Sequence, residues 1–382
     1  MIDYFKILRS KVVCTILKIF WIIPVKKKQV LFMSYDGMTF SDSPMYIYRK
    51  MKDMEIRFIW AIKKGVITDE LKLLPKNTKV INRYSLAFLY YILTSKVIVV
   101  NDTLNVYLPI RKNQVLINTW HGGGAFKTVG MTEKNPSKYD EFFFKEQAKK
   151  TSIFIACSES FIRDVIHDSF LYYGEVLRTG IPRNAILFQK HGNIKEKVHD
   201  YYSISLETKI VLYAPTFRKN NCFIVNEKQL DMSMCTKALR RKFKNNFVLL
   251  YRAHHLLSYT ESKDTNGFLD ATDYPDMQEL LCAADVLISD YSSCLWDATL
   301  LKIPVFLFVP DVDDYSDDRG FLLDIHEWPY SLARTNEELN DNIIAFDYED
   351  YKQSAENFLV KLGSYESENA VIKAVSFIND LL

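Results

Sequence analysis

From residue 29 onward the chain alternates between short apolar runs of strand character and longer stretches of helical period. Nearly every apolar run stops at small or polar residues. Runs at 29–34, 56–62, 78–82, 96–100, 114–119 and 152–156 read as strands. Between them lie helical patterns: one capped by Asp42 or Ser43, with Pro44 in its first turn, running to Lys52, and one at 85–94. Ser158 caps another, with Glu159 and Ser160 in its first turn. After a charged stretch at 194–200 a second series begins, with strands at 209–214, 247–251, 267–270, 285–289 and 305–309. Helices are expected at 229–243, 276–284 and 295–301, and the tail from 350 to 382 reads as helical. Such alternation predicts parallel sheets with helices on both faces. The expected fold class is α/β, with two Rossmann-like domains at 29–195 and 196–382 and a separate segment at 1–28. A chain of 382 residues is long for one core and suits two.

Composition excludes several classes. With 48% hydrophobic and 25% charged residues the composition is that of a globular protein and argues against wholesale disorder. A formal net charge of +2 provides no basic field, so no nucleic-acid partner is expected. The six cysteines form no C-x-x-C pair, which argues against zinc or a disulfide framework and fits a reducing cytosol. No metal site and no cofactor are expected.

The first 28 residues stand apart. On a helical wheel Phe5, Leu8, Val12, Val13, Ile16, Leu17, Ile19 and Phe20 share one half-circle. Asp3, Ser10, Lys11, Cys14, Thr15 and Lys18 take the other, with Ile7 and Trp21 misplaced among them. Pro24 and Lys26-Lys27-Lys28 end the pattern. Lys18 interrupts the apolar run, whereas a bilayer span needs about 20 apolar residues. No small-residue cleavage site follows, so a signal peptide is not expected. Two readings stand: an amphipathic helix lying on an anionic membrane face, or a helix packed on the protein's own body.

Two strand ends carry the most chemistry. The first is Asn118-Thr119-Trp120-His121-Gly122-Gly123-Gly124. Histidine titrates near neutrality unaided and can act as base, acid or phosphate donor, and glycines let a ligand approach the backbone. H-G-G-G also resembles the oxyanion loop of lipases, but that chemistry needs a G-x-S-x-G elbow, and none of the twelve glycines brackets a serine in this way. A tight turn with a structural histidine is the plain alternative.

The second is Ile288-Ser289-Asp290-Tyr291-Ser292-Ser293, leading into a helix with Trp296 and Asp297. Hydroxyls and free N–H groups at a helix start form an anion site, and simple capping is the plain alternative. A helix end contributes about 0.3–1 kcal/mol to an exposed anion, and up to ~2 kcal/mol when partly buried. A diphosphate therefore needs further donors. Candidates sit at other strand ends: Arg183 after Gly180-Ile181-Pro182, Arg218 in Pro215-Thr216-Phe217-Arg218, and Arg252 with His254 and His255. The acidic residues Asp311, Asp313, Asp314, Asp317 and Asp318 read as a solvated loop or as a cation site, with Arg319-Gly320 at the rim.

Taken in order, W-H-G, A-P-T-x-R, R-x-H, S-D-Y-S-S-x-x-x-D and D-D-R-G resemble the CDP-glycerol glycerophosphotransferases of wall teichoic acid synthesis, over roughly residues 29–365. The resemblance implies a glycosyltransferase-B-type fold, two Rossmann-like domains with the active site between them. It implies transfer of glycerol phosphate, or in some members ribitol phosphate, from a CDP-alditol to a lipid-linked acceptor at the cytoplasmic membrane face, releasing CMP. It implies His121 as the base, with Trp120 and Gly122 in its loop. It implies a donor-binding set of Arg183, Pro215, Thr216, Arg252, His254, Ser292, Ser293 and Asp297. The family has Thr-Pro after W-H-G, whereas this chain has Gly123-Gly124, which predicts a more open loop there.

The partners then expected are CDP-glycerol and a polyprenyl-diphosphate-linked acceptor, and no oligomeric state is implied. Within the family, the lack of a large extra domain before the catalytic pair points to a primase, with a polymerase or a CDP-ribitol enzyme as alternatives. A nucleotide-sugar glycosyltransferase on the same fold and a non-catalytic scaffold are the rival classes.

Overall fold

The computed structural model describes residues 2–66, 68–216, 229–253 and 268–382. The described chain forms two compact units. One comprises Met1–His121, Thr128–Ile186 and Gly363–Leu382, and the other Gly122–Lys127 and Leu187–Leu362.

The first unit holds a seven-stranded sheet of β1 (Lys26–Met33), β2 (Arg57–Ile62), β3 (Thr78–Asn82), β4 (Ser95–Val100), β5 (Val115–Asn118), β6 (Ile153–Ala156) and β7 (Glu175–Arg178). All pairings are parallel, in the order β3-β2-β1-β4-β5-β6-β7. Successive side chains of β1 enter opposite cores. Val30 and Phe32 join Tyr48, Phe58, Trp60 and Ile378, while Leu31 and Met33 join Ile59, Ile92, Ile98 and Leu116. Burial on both faces explains why these strands read as unbroken apolar runs.

The second unit holds β8 (Lys209–Ala214), β9 (Phe247–Tyr251), β10 (Phe268–Asp270), β11 (Val286–Ser289), β12 (Val305–Phe308) and β13 (Ser331–Ala333), again parallel, in the order β10-β9-β8-β11-β12-β13. Each sheet reverses its strand order once, between β1 and β4 in the first and between β8 and β11 in the second. In open α/β sheets such switch points, at the carboxyl ends of the strands, are where ligands bind.

The structure differs from the sequence reading at four places. Lys26-Lys27-Lys28 open β1 instead of closing the N-terminal segment, with an irregular register between Lys26 and Val30. The units divide at Ile186/Leu187, near the expected boundary, but the tail rejoins the first unit. It does so because the Ala370–Asp380 helix packs Ala374, Val375 and Ile378 into the core beside the Asp42–Met51 helix. β13 was not foreseen, since three residues carry too little alternation to register. The segment after Ser158 winds as a π-helix over Phe161–Ser169, with Phe170 N–H donating to the Val165 carbonyl at 3.0 Å.

The N-terminal segment is an α-helix (Ile2–Leu17) continued by a 3₁₀ turn (Lys18–Ile22). Ser10 is buried and Ile7, Cys14 and Leu17 are half-buried. The Lys6 and Lys11 ammonium groups lie over the rings of Tyr139 and Phe142 on the Lys138–Lys150 helix. The turn is anchored by the Trp21 indole N–H on the Pro109 carbonyl (3.0 Å) and by Arg111 on the Phe20 (2.8 Å) and Ile23 (2.7 Å) carbonyls. The opposite face exposes Ile2, Phe5, Leu8, Val12, Ile16 and Ile19, each between 49% and 73% accessible. The helix packs on the protein's own body, the second of the two expected readings. The inward side carries Ile7, Ser10, Val13, Cys14 and Leu17, and most of the apolar arc is left outside. Among the described residues no helix is long and apolar enough to cross a membrane.

Candidate active site

At the end of β5, the Asn118 side chain accepts the Trp120 N–H at 2.8 Å, turning the chain sharply. Trp120 sits in the left-handed region at φ 50°, with its indole stacked on the His121 imidazole at 4.1 Å. His121 is half-buried, and its Nδ1 lies 2.7 Å from the Asn101 carbonyl oxygen at the end of β4. A carbonyl oxygen only accepts, so Nδ1 carries the proton and, in the neutral ring, Nε2 carries the lone pair. Asn101 also accepts the Tyr35 N–H through its side-chain oxygen at 2.8 Å, and the Tyr35 and His121 rings stand 5.3 Å apart. His121 is therefore held by the residues that follow β1 and β4, the two strands of the first switch point.

Arg183 is buried. Its Nη1 donates to Asp42 Oδ2 at 2.5 Å and to the His121 carbonyl at 2.8 Å. Asp42 also accepts the Tyr35 hydroxyl at 2.7 Å and the Ser43 N–H. Burial pushes the Asp42 carboxyl upward, but the Arg183 charge, the Ser43 and Tyr35 hydrogen bonds and His121 outweigh it, and the net shift is downward.

In the second unit the switch-point residues are Pro215-Thr216 after β8 and Asp290 after β11. Asp290 is buried. It accepts the Thr216 N–H (2.9 Å), the Thr216 hydroxyl (2.6 Å) and the Tyr291 N–H (2.6 Å). The Ser289 hydroxyl adds a bond to the Ala214 carbonyl at 2.6 Å. Ser292 and Ser293 follow, half-buried, at the start of the Cys294–Leu301 helix. Asp297 is only 1% exposed and accepts the Gln278 side-chain amide at 3.1 Å, which links its helix to the neighbouring Met277–Ala283 helix. Arg252 Nη1 donates to the Ala271 (2.9 Å) and Tyr274 (2.8 Å) carbonyls, clamping the turn after β10.

The glycine run belongs with this second group. Gly122–Lys127 is part of the second unit, where Leu322 N–H donates to the Phe126 carbonyl at 3.1 Å and Lys127 bridges Phe321. Half-buried Arg319 and Gly320 immediately precede those partners. Gly123 lies against the Trp296 indole, where an added Cβ would come within 2.2 Å of the ring, and Gly124 adopts φ 84°. The more open loop expected at Gly123-Gly124 is not found: Gly122 to Phe126 are all buried. The glycines are needed for close packing, and Gly124 also for its left-handed backbone.

His254 and Arg218 lie outside the described residues, as does His255. The sequence reading missed Tyr35, Asn101 and the ionic role of Asp42. Their only sequence signal is the strand-end position and, for Asp42, a place at a helix start.

The sequence profile of the CDP-Glycerol:Poly(glycerophosphate) glycerophosphotransferase family matches residues 15–379. The chain belongs to this family. It is an enzyme of glycerol phosphate transfer from CDP-glycerol, the reaction for which the family is named. It is 29% identical over 358 residues to a teichoic acid poly(glycerol phosphate) polymerase of Bacillus spizizenii, covering 89% of each chain. It is 25% identical to a teichoic acid glycerol-phosphate transferase of Staphylococcus aureus, covering 90% of this chain and 91% of that protein. A Bacillus subtilis poly(glycerol phosphate) polymerase is 30% identical, but the match spans only 45% of its length. The structure of the wall teichoic acid polymerase TagF superposes with a TM-score of 0.82 at 22% identity, covering 99% of this chain and 97% of that one. That likeness establishes the fold, two parallel Rossmann-like units of glycosyltransferase-B type.

Proposed function

We propose that this glycerophosphotransferase acts in teichoic acid or related surface-polymer synthesis, as a primase that adds glycerol phosphate to a polyprenyl-diphosphate-linked acceptor. The acceptor hydroxyl attacks the β-phosphorus of CDP-glycerol. A new oxygen–phosphorus bond forms, the bond from β-phosphorus to the bridging oxygen breaks, and CMP leaves. His121 takes the hydroxyl proton on Nε2. The observation that carries this reading is the His121–Asn101 hydrogen bond, which commits Nδ1 and keeps Nε2 as the acceptor. A general base contributes about 10²–10⁴-fold. In the same reading Pro215, Thr216, Ser292, Ser293, Arg252 and Arg319, together with Arg218 and His254, hold the donor and its developing charge. Gly122, Gly123, Gly124 and Asp297 shape that donor side.

The test is His121→Ala with labelled CDP-glycerol and purified protein. CMP release should be abolished while the circular dichroism spectrum persists, and near-normal turnover would sink the assignment. A single-unit product on a synthetic acceptor supports the primase role, and long products would make it a polymerase. A CDP-ribitol arm distinguishes the donor alditol.

The same reading places the enzyme on the cytoplasmic membrane face. The support is the outward stripe of Ile2, Phe5, Leu8, Val12, Ile16 and Ile19 on a helix already anchored along its other side, flanked by Lys6, Arg9 and Lys11.

A further inference from the structure

We propose that Asp42, through Tyr35 and Arg183, is the positioning residue for His121, and that Arg183 serves the histidine loop instead of the donor phosphates. This rests on the reading of His121 as the base.

The contacts form a closed ring. Asp42 Oδ2 accepts from the Tyr35 hydroxyl and from Arg183 Nη1. The Tyr35 N–H donates to the Asn101 side chain, and the Asn101 carbonyl accepts from His121 Nδ1. The His121 carbonyl accepts from the same Arg183 Nη1, which closes the ring. The side chains of Arg183 and Asp42 are only 6% and 4% exposed. A guanidinium so enclosed, with one nitrogen shared between a carboxylate and a backbone carbonyl, acts on the protein.

Backbone strain marks the same residues. Tyr35 (φ 46°), Asp42 (φ 61°) and Trp120 (φ 50°) all occupy the left-handed region without being glycine. Such conformations are costly and persist only where surrounding contacts over-determine them. Three of them lie on the ring or immediately beside it. The ring sits at the carboxyl ends of β1 and β4, and a change at Asp42 reaches the imidazole by two routes: tyrosine and asparagine on one side, arginine and the loop carbonyl on the other.

The experiment uses the full chain carrying ¹⁵N-histidine, with His121 assigned by loss of its signal in His121→Gln. In the wild type the His121 tautomer should be Nδ1-protonated. Asp42→Asn keeps the size and tolerates the left-handed backbone while removing the charge. It should lower kcat by 10-fold or more, change KM for CDP-glycerol by less than three-fold, and mix the two tautomers. Tyr35→Phe removes one hydroxyl only and should act in the same sense, more weakly, so the question stays answerable if Asp42→Asn does not fold. Wild-type kcat and an unmixed tautomer in a folded variant would overturn the proposal. So would an effect confined to donor KM, which would return Arg183 to the donor site. The tautomer is read without turnover, so a failure of the base assignment is seen separately as activity surviving in His121→Ala.

Discussion

Gly123 faces the Trp296 indole so closely that a single added carbon would lie 2.2 Å from the ring. The contact ties the glycine run to the Cys294–Leu301 helix, which begins beside Ser292 and Ser293. Gly123→Ala should therefore destabilise the protein by about 1–3 kcal/mol, the usual cost of overpacking. Adding Trp296→Leu to that variant should cost less than the two single changes together. Urea denaturation of the four proteins measures the coupling.

Asp290 joins the ends of β8 and β11 by accepting both donors of Thr216. In Asp290→Ala those donors and the Tyr291 N–H lose their acceptor at a buried position. Each unsatisfied group costs about 1–3 kcal/mol. A lowered Tm is expected, together with weaker CDP-glycerol binding, because the turns on both sides of the switch point loosen. Calorimetric titration with CDP-glycerol checks the second effect.

The exposed stripe on the Ile2–Leu17 helix gives a change that leaves the fold alone. Phe5 is 70% and Leu8 61% exposed, so replacing both with glutamate should leave Tm nearly unchanged. Each apolar side chain buried in a bilayer contributes about 1.5–3 kcal/mol. Co-sedimentation with anionic vesicles should fall more than ten-fold, and unchanged binding would rule out this face as the contact.

Acid stability should report the Asp42–Arg183 pair. The Asp42 carboxyl is lowered in the folded protein, so its contribution is fully present above the unfolded value of about 3.9 and is lost as pH falls below it. Wild-type unfolding free energy should decline steeply in that acid range. In Asp42→Asn the decline should be shallower, from a lower starting stability at pH 7, because breaking a buried pair costs about 3–5 kcal/mol. Denaturant titrations from pH 7 down to about pH 2 make the comparison.

The sequence by itself was enough for the α/β class, since strands buried on both faces must be apolar along their whole length, as at Leu31, Phe32 and Met33. It also located both strand-end motifs, because Trp120-His121-Gly122 and Ser289-Asp290-Tyr291 are local and chemically distinctive. Strand order, by contrast, is a long-range property, and only the tertiary structure revealed that β1 lies beside β4 and β8 beside β11. That adjacency brings Tyr35, Asp42 and Asn101 around His121, residues whose spacing along the chain carries no sign of their meeting. It also decided which way the N-terminal helix faces. A wheel finds the apolar arc but not its direction, and here the anchoring carbonyls of Phe20, Trp21 and Ile23 on Arg111 leave most of that arc in solvent.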